Sequence, residues 1–586
     1  MAPAPQAAAV ASPEAADRLL RAAVRHSAGR VAALLACAAA AAAAAVALPA
    51  VLGRTLDLLL AGDPQAQRWL LLAAALIGAG AALDATTAWL GGTTGARSTA
   101  WVRRRCVGRL LATEPRHGAG FSAGDLGTRL TVNAADTGTA PVTCATGVAS
   151  LLTPVGGLVG LFLIDVWTAA AFLLGVPLLI LLLRAFARGT AATVGAYQEV
   201  QGRIAGRLVE ALAGARTVAA AGTAARERAR ILAPLTELDA EGRQTWRLYG
   251  RAVARTGVLM PLLATVVLAV GGLRLADGHL TVGALLAASR YAVLAGGVGA
   301  VTGALSALVR SRTAARRTAA LLDLPAVPHG TRALPPDGPG TLELCRVGVR
   351  RDGLLLLHDV DLVVPGGTTT AVVGRSGAGK SLLAAVAGRL TDPDEGVVLL
   401  DGVPLHTLEP GRLRREVGYA FERPALFGGT VEEALAFGAH RPPAAELRAA
   451  AGAADAHGFV TRLPHGYTTP LADAPMSGGE AQRLGLARCF AHAGRLLILD
   501  DATSSLDTVT ERRVSRALTR QVRPGTRLVV AHRVSSAARA DLVVWLDGGR
   551  VRAVAPHAEL WRDPAYRAAF ADAPEPGAHA EKGEER

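Results

Sequence analysis

The chain has 586 residues, 51% of them apolar and 19% charged, with mean hydropathy +0.32 and formal net charge +14. That length calls for more than one domain, and that hydropathy excludes an ordinary soluble protein. A basic chain can serve nucleic acid, but here the arginines cluster beside apolar spans, the pattern of cytosolic membrane loops, so no nucleic acid partner is expected. The five cysteines (Cys37, Cys106, Cys144, Cys345, Cys489) have no metal-ligand spacing and read as free thiols.

Residues 1–30 are rich in Ala and Pro and turn amphipathic from Asp17 to Arg30, which predicts a cytosolic segment with a helix on the membrane surface. The Ala-rich run Val31 to Leu52 has the look of a signal peptide, but further spans follow it. Six spans fit the hydropathy, at 31–52, 69–92, 141–163, 166–187, 253–275 and 283–309, each near the ~20 residues that a bilayer needs. The expected transmembrane domain covers 31–322 and has both ends on one side.

The loop 93–140 carries Arg97, Arg103, Arg104, Arg105, Arg109, Arg116 and Arg129, and the loop 188–252 is equally Arg-rich. Both are therefore expected in the cytosol, while the opposite connections are very short. Gly124-Asp125-Leu126 with Arg129, and Glu210 to Arg216, mark where these loops would touch the second domain. Asp84 and Arg290 with Tyr291 lie within spans; such groups face a polar cavity or a partner. Arg54 and Asp57 read as a structural pair.

A Pro- and Gly-punctuated linker (323–340) leads to a soluble α/β domain (341–570). Leu342 to Val349 and Asp359 to Val364 alternate like strands, with Arg351 between them. Thr370 to Val373 reads as a buried strand and Leu382 to Leu390 as a helix. Between them stands Gly374-Arg375-Ser376-Gly377-Ala378-Gly379-Lys380-Ser381, the G-x-x-x-x-G-K-[ST] phosphate loop. Its glycines let backbone N–H groups wrap a phosphate at a helix N-terminus. Lys380 supplies a cation for the β and γ phosphates of ATP, and Ser381 a hydroxyl for Mg²⁺. Only Lys380 and Lys582 are lysines among 62 basic residues. A compact point charge kept at this one internal position marks a site where the wide Arg fork does not fit.

Leu496 to Leu499 is an apolar strand that ends in Asp500, placed to deliver a carboxylate to the Mg²⁺ shell. Met476-Ser477-Gly478-Gly479-Glu480 precedes a helix-like run and makes a second anion-binding N-terminus. One nucleotide does not need both surfaces. The economical arrangement is a head-to-tail dimer, with ATP between one chain's Lys380 loop and the other's Ser477 loop.

These motifs together resemble the ABC exporter family, over about residues 15–570. The resemblance implies a six-span α-helical membrane domain followed by an α/β P-loop ATPase domain, and it implies that Met476 to Glu480 is the signature motif. Ser504 to Asp507 would be the D-loop, and His532 the switch histidine at the γ-phosphate. Three positions depart from the family pattern. Asp501 stands where Glu is the base for the attacking water. Glu422 stands at the glutamine that ligates Mg²⁺, and Arg351 at the aromatic that stacks on adenine. A base one methylene short reaches its water poorly, so the resemblance points to a heterodimer in which this chain's own site turns over slowly while its Ser477 loop completes a partner's site. A homodimer in which Asp501 suffices is the alternative.

No outer domain captures a ligand, so ATP-driven export is expected, from a multi-pass position in the cytoplasmic membrane. The run Gly466 to Arg483 is similar to half-transporters of filamentous actinobacteria that sit with lanthipeptide genes. With residues 1–30 ahead of the first span, no N-terminal peptidase domain is expected. Drug or lipid export, an exporter-fold importer and a non-transporting regulatory half are the competing readings. Residues 571–586 are polar and predict a disordered tail.

Overall fold

The computed structural model describes residues 10–570 apart from 119, 298, 352 and 521–524, with the side chains of 178–199 and 251–260 among those outside the description. The expected tail 571–586 therefore lies outside the described residues. The chain forms two compact units, one of residues 1–111 and 121–324, the other of residues 112–120 and 325–586.

The first unit is helical. Its principal helices are α1 (Pro13–His26), α2 (Ala28–Leu60), α3 (Ala66–Leu111), α4 (Ala140–Ile164), α5 (Val166–Ala213), α6 (Leu235–Ala276), α7 (Val282–Ala295) and α8 (Gly299–Leu322). Among the described residues three stretches are long and apolar enough to cross a membrane: Ala28–Leu60, Ala66–Leu111 and Gly124–Ile164. The expected spans at 166–187 and 253–275 lie within the long helices α5 and α6, whose described apolar parts include Val166–Pro177 and Pro261–Ala276, and the start of the sixth is the apolar helix Val282–Ala295.

Helix α1 does not offer its apolar face to a membrane. Ala15, Ala16 and Leu19 are buried with Ala315, Ala319 and Ala320 of α8. Asp17 accepts two hydrogen bonds from Arg312, at 2.9 and 2.7 Å, which fixes the register of the two helices. The expected sixth span is interrupted. Helix α7 ends at Ala295, and Gly296 and Gly297 form a turn before α8. Paired glycines make this break inexpensive because they gain most freedom outside a helix.

One expected polar arrangement is replaced by another. Asp57 bonds to the start of α7 rather than marking a local pair: its carboxylate accepts from Thr281 Oγ1 and from Gly283 N, each at 2.7 Å. Arg129 is fully buried. It pairs with Asp125 at 2.8 Å, donates to the Arg317 carbonyl at 2.6 Å and lies 4.7 Å from the Phe121 ring centroid. Asp125 and Arg129 therefore hold the helical unit together. The part of that loop which joins the second unit is Ala112–Gly120. There Thr113 bridges to Ala326, and Glu114 accepts from the Asp392 N–H at 2.8 Å. Glu210 pairs with Arg230 at 3.1 Å within the helical unit. Among the described residues, Asp84 and Arg290 have no ion-pair partner, whereas Tyr291 is buried and donates to the Val46 carbonyl at 2.9 Å.

Helices α2 and α7 cross with their backbones almost in contact. A Cβ on Gly283 would sit 1.9 Å from the Gly53 carbonyl oxygen and 2.7 Å from the Asp57 carboxylate. Small residues at helix crossings allow such close approach. Gly283→Ala is expected to cost about 2 kcal/mol by overpacking, read as a lower thermal midpoint of the detergent-solubilised protein; an unchanged midpoint would show that this crossing is not tight.

The second unit contains two sheets. One is antiparallel with order β2-β1-β4-β5, where β1 is Leu342–Arg351, β2 Leu354–Val364, β4 Glu395–Leu400 and β5 Val403–Pro404. The other has order β10-β9-β3-β8-β7-β6. Its strands are β3 (Thr369–Val373), β6 (Val417–Phe421), β7 (Leu496–Asp500), β8 (Thr526–Val530), β9 (Leu542–Asp547) and β10 (Arg550–Ala555), all parallel except the β9–β10 pair. The central strands are near-continuous apolar runs, as strands covered on both faces must be. Because β8 lies between β3 and β7, the carboxyl ends of β3, β8, β7 and β6 line up in a row. Ligands bind along such an edge in open α/β sheets.

Candidate nucleotide site

The phosphate loop leaves β3 and enters helix α9 (Lys380–Ala387). Gly374 packs so closely on the neighbouring strand that a Cβ there would lie 2.2 Å from the Leu546 carbonyl oxygen. Gly377 and Gly379 have φ of +80° and +97°, in the region that side chains strain to adopt. Lys380 is buried, and its Nζ donates to the carbonyls of Gly374 and Arg375 at 2.8 and 3.0 Å. Burial lowers its pKa, while the carboxylates of Asp501 and Asp500 hold the charge in place. The loop is a preformed cradle of backbone around one cation, which fits a polyphosphate.

The other expected residues gather at the same edge. Phe421 pairs with Asp500 in the β6–β7 register, so Glu422 follows directly beside Asp500. Asp500 Oδ2 accepts from Tyr419 Oη at 3.1 Å, whereas its Oδ1 is buried with no protein hydrogen-bond partner. Burial pushes the Asp500 pKa up, and the hydroxyls of Ser381 and Tyr419 pull against it. A buried carboxylate oxygen left open beside a serine hydroxyl suits a hard cation with oxygen ligands. Asp501 sits at φ +51°, and its carboxylate meets His532 Nε2 at 3.0 Å. Arg351 ends β1 opposite Leu354 and is exposed. The next part of that hairpin touches the cradle, because a Cβ on Gly379 would lie 3.0 Å from Leu357.

Ser477 caps helix α10 (Gly478–Ala491) in a reciprocal box. Its Oγ accepts from the Glu480 N–H at 3.3 Å, and Glu480 Oε2 accepts from the Ser477 N–H at 2.8 Å. That backbone bond is the main reason the Glu480 pKa is lowered. Ser477 and Gly478 themselves are exposed.

Three polar residues that the sequence analysis did not single out tie these parts together. Gln482, on α10, is almost fully buried. It donates to the carbonyls of Glu422 (3.1 Å) and Asp501 (3.2 Å), and accepts from the Ser505 N–H at 3.1 Å. Tyr419 holds Asp500. Glu511, on α11 (Thr508–Arg520), is a buried carboxylate bonded to Arg533, Ser536 and Arg539, the first of which adjoins His532. Asp507 caps α11 by accepting from the N–H groups of Val509 and Thr510. Gln482 carries no local signal, since it lies between Glu480 and Arg483, whereas Glu511 is an acid one turn after Asp507.

Residues 357–504 match the ABC transporter family model, and residues 31–296 match the model of the ABC transporter transmembrane region. The chain is 60% identical over 537 residues to the ABC transporter ATP-binding protein RamA of Streptomyces coelicolor, covering 92% of this chain and 84% of that protein. The chain belongs to the ABC transporter family. This ABC transporter chain is also 40% identical over 246 residues to the ATP-dependent lipid A-core flippase of Alkalilimnicola ehrlichii, across 41% of this chain and 42% of that one. Its fold is that of a bacterial Atm1-family ABC exporter solved with ATP bound, at a TM-score of 0.77 and 23% identity, over 93% of this chain and 98% of that one. Its membrane-spanning helical region is thus joined to an ATP-binding ABC ATPase domain, which supports ATP hydrolysis coupled to transport.

Proposed function

We propose that this ABC transporter chain is one half of a heterodimeric exporter of the cytoplasmic membrane, with the transmembrane domain at 31–322, a linker at 323–340 and the ATPase domain at 341–570 facing the cytosol. Residues 374–381 hold the ATP phosphates, with Lys380 as the cation. Ser381 and Asp500, with Glu422, hold Mg²⁺, which screens the phosphate charge when bound. Arg351 stacks on adenine by a cation–π contact. Asp501 and His532 orient the attacking water at the γ-phosphate. Ser477, Gly478 and Gly479, with Glu480 fixing their turn, face the partner's ATP.

The observation that carries the asymmetric reading is Asp501. It is a short carboxylate in place of Glu, and it is drawn to His532 at 3.0 Å. A side chain one methylene shorter and already engaged holds its proton acceptor back from the water, and about 1 Å of misplacement can cost 100-fold. The intact Ser477 cap has no such defect. For the cargo, similarity of the signature region to lanthipeptide-associated half-transporters, and a relative from an actinobacterium, support a peptide.

The test is the ATPase rate and oligomeric state of the full chain, alone and with the product of the adjacent gene. The chain alone is expected to be nearly inactive and the pair active. Asp501→Glu is expected to raise turnover at this chain's own site about tenfold, equivalent to 1.4 kcal/mol off the barrier. A homodimer turning over at about 10 s⁻¹, an ordinary enzyme rate, would overturn the degenerate site and favour a homodimeric drug or lipid exporter.

A further inference from the structure

The proposed Mg²⁺ shell ends at Asp500, but the geometry does not. Tyr419 stands two residues before the end of β6, and in register it faces Ile498 on β7, two residues before Asp500. Its ring lies in a slot at the end of α9, where a Cβ on Gly388 would come within 2.9 Å of it and 3.0 Å of Ile498. The ring also packs against Phe421, with centroids 4.6 Å apart. The slot leaves the phenol one useful direction, and its hydroxyl ends 3.1 Å from Asp500 Oδ2. The other oxygen, Oδ1, is buried and has no protein donor. One carboxylate oxygen is thus engaged and the second kept open.

We infer that Tyr419 is a positioning residue for the divalent cation: by occupying Oδ2 it fixes the rotation of the Asp500 carboxylate and directs Oδ1 to Mg²⁺. This rests on the reading of Asp500 as a Mg²⁺ ligand. Carboxylates that bind metals are themselves held by outer hydrogen bonds, and loss of such a bond costs about 10–100-fold in metal affinity. Phenylalanine keeps the ring in its slot and removes only the hydroxyl.

The experiment titrates Mg²⁺ into the full chain in lipid nanodiscs and follows binding of a fluorescent ATP analogue, with no turnover required. Tyr419→Phe is expected to raise the half-saturating Mg²⁺ concentration about tenfold, while metal-free binding of the analogue and the thermal midpoint stay near the parent's. Asp500→Asn should raise the Mg²⁺ requirement further, and adding Tyr419→Phe to it should have no extra effect. If Asp500→Asn shifts the titration and Tyr419→Phe does not, the tyrosine packs without positioning and the inference is overturned. If Asp500→Asn shifts nothing, the Mg²⁺ reading of Asp500 falls and the inference falls with it. An equal shift by Tyr419→Phe in the parent and in the Asp500→Asn background would also overturn it, since the phenol would then act elsewhere.

Discussion

Gln482→Ala should destabilise the nucleotide-binding unit by about 2–4 kcal/mol and lower ATP turnover about a hundredfold. The side chain is 1% exposed. Alanine leaves the carbonyls of Glu422 and Asp501 and the N–H of Ser505 without the partner each has now. Each buried group so abandoned costs about 1–3 kcal/mol, and local relaxation recovers part of the sum. The larger consequence is geometric. Asp501 holds a positive φ, a conformation that persists only when its surroundings impose it. Its carbonyl is imposed on by Gln482 and its carboxylate by His532. Release of the carbonyl lets the backbone relax and swings the carboxylate away from its place. Gln482→Glu keeps an acceptor for the Ser505 N–H but sets an oxygen against two carbonyl oxygens, so it should be no better than alanine. Denaturant unfolding of the full chain and its ATPase rate with a partner check both effects. Loss of stability with full turnover would show that Asp501 does not depend on this amide.

The membrane half was legible where hydropathy is strong and illegible where packing decides. Ala28–Leu60, Ala66–Leu111 and Gly124–Ile164 carry enough apolar length to declare themselves. The interruption at Gly296 and Gly297 was hidden inside an apolar run, because a hydropathy window does not register two glycines as a break. Arg54 and Asp57 looked paired because they are one helical turn apart, a spacing at which side chains do meet. The structure sends Asp57 instead to Gly283, 226 residues away, where unpaired N–H groups at a helix start attract a carboxylate. In the sequence, Arg129 with Asp125 marks where a loop would touch the second domain; in the structure Arg129 is the largest fully buried side chain described and is bonded within the helical unit. The phosphate loop was legible because its chemistry requires glycine at Gly377 and Gly379, where φ is positive. The supports behind it were not. Tyr419 reaches Asp500 across 81 residues and Gln482 reaches Glu422 across 60. Nothing local in the chain announces such contacts; they follow from the strand order that sets β6 beside β7.

Glu511→Ala is expected to cost about 3 kcal/mol of stability and to uncouple His532 from the 501–507 segment, because it removes the carboxylate from a buried charge cluster. Glu511 is 3% exposed, and its two oxygens are shared among three donors. Oε2 takes Arg533, while Oε1 takes Ser536 at 2.7 Å and Arg539 at 3.3 Å. Without the carboxylate, two guanidiniums remain close together with no anion between them. Each is partly exposed, at 38% and 40%, so water relieves some of the penalty and the lower end of the usual 3–5 kcal/mol range for a broken buried pair applies. Arg533 adjoins His532 and also donates to the Leu506 carbonyl at 3.4 Å. It therefore links the segment that follows β8 with the segment between Asp501 and Asp507. When Arg533 is released, both ends lose a fixed reference and His532 no longer meets Asp501 reliably. Glu511→Gln is the informative companion: a neutral acceptor keeps the shape and loses the charge attraction, so it should recover part of the stability and part of the turnover. Hydrogen exchange over 500–540, with and without ATP, reads the coupling directly. Faster exchange in both the 501–507 and 531–539 segments of Glu511→Ala supports the link. Faster exchange in one segment alone would show that the cluster props up that segment without joining the two.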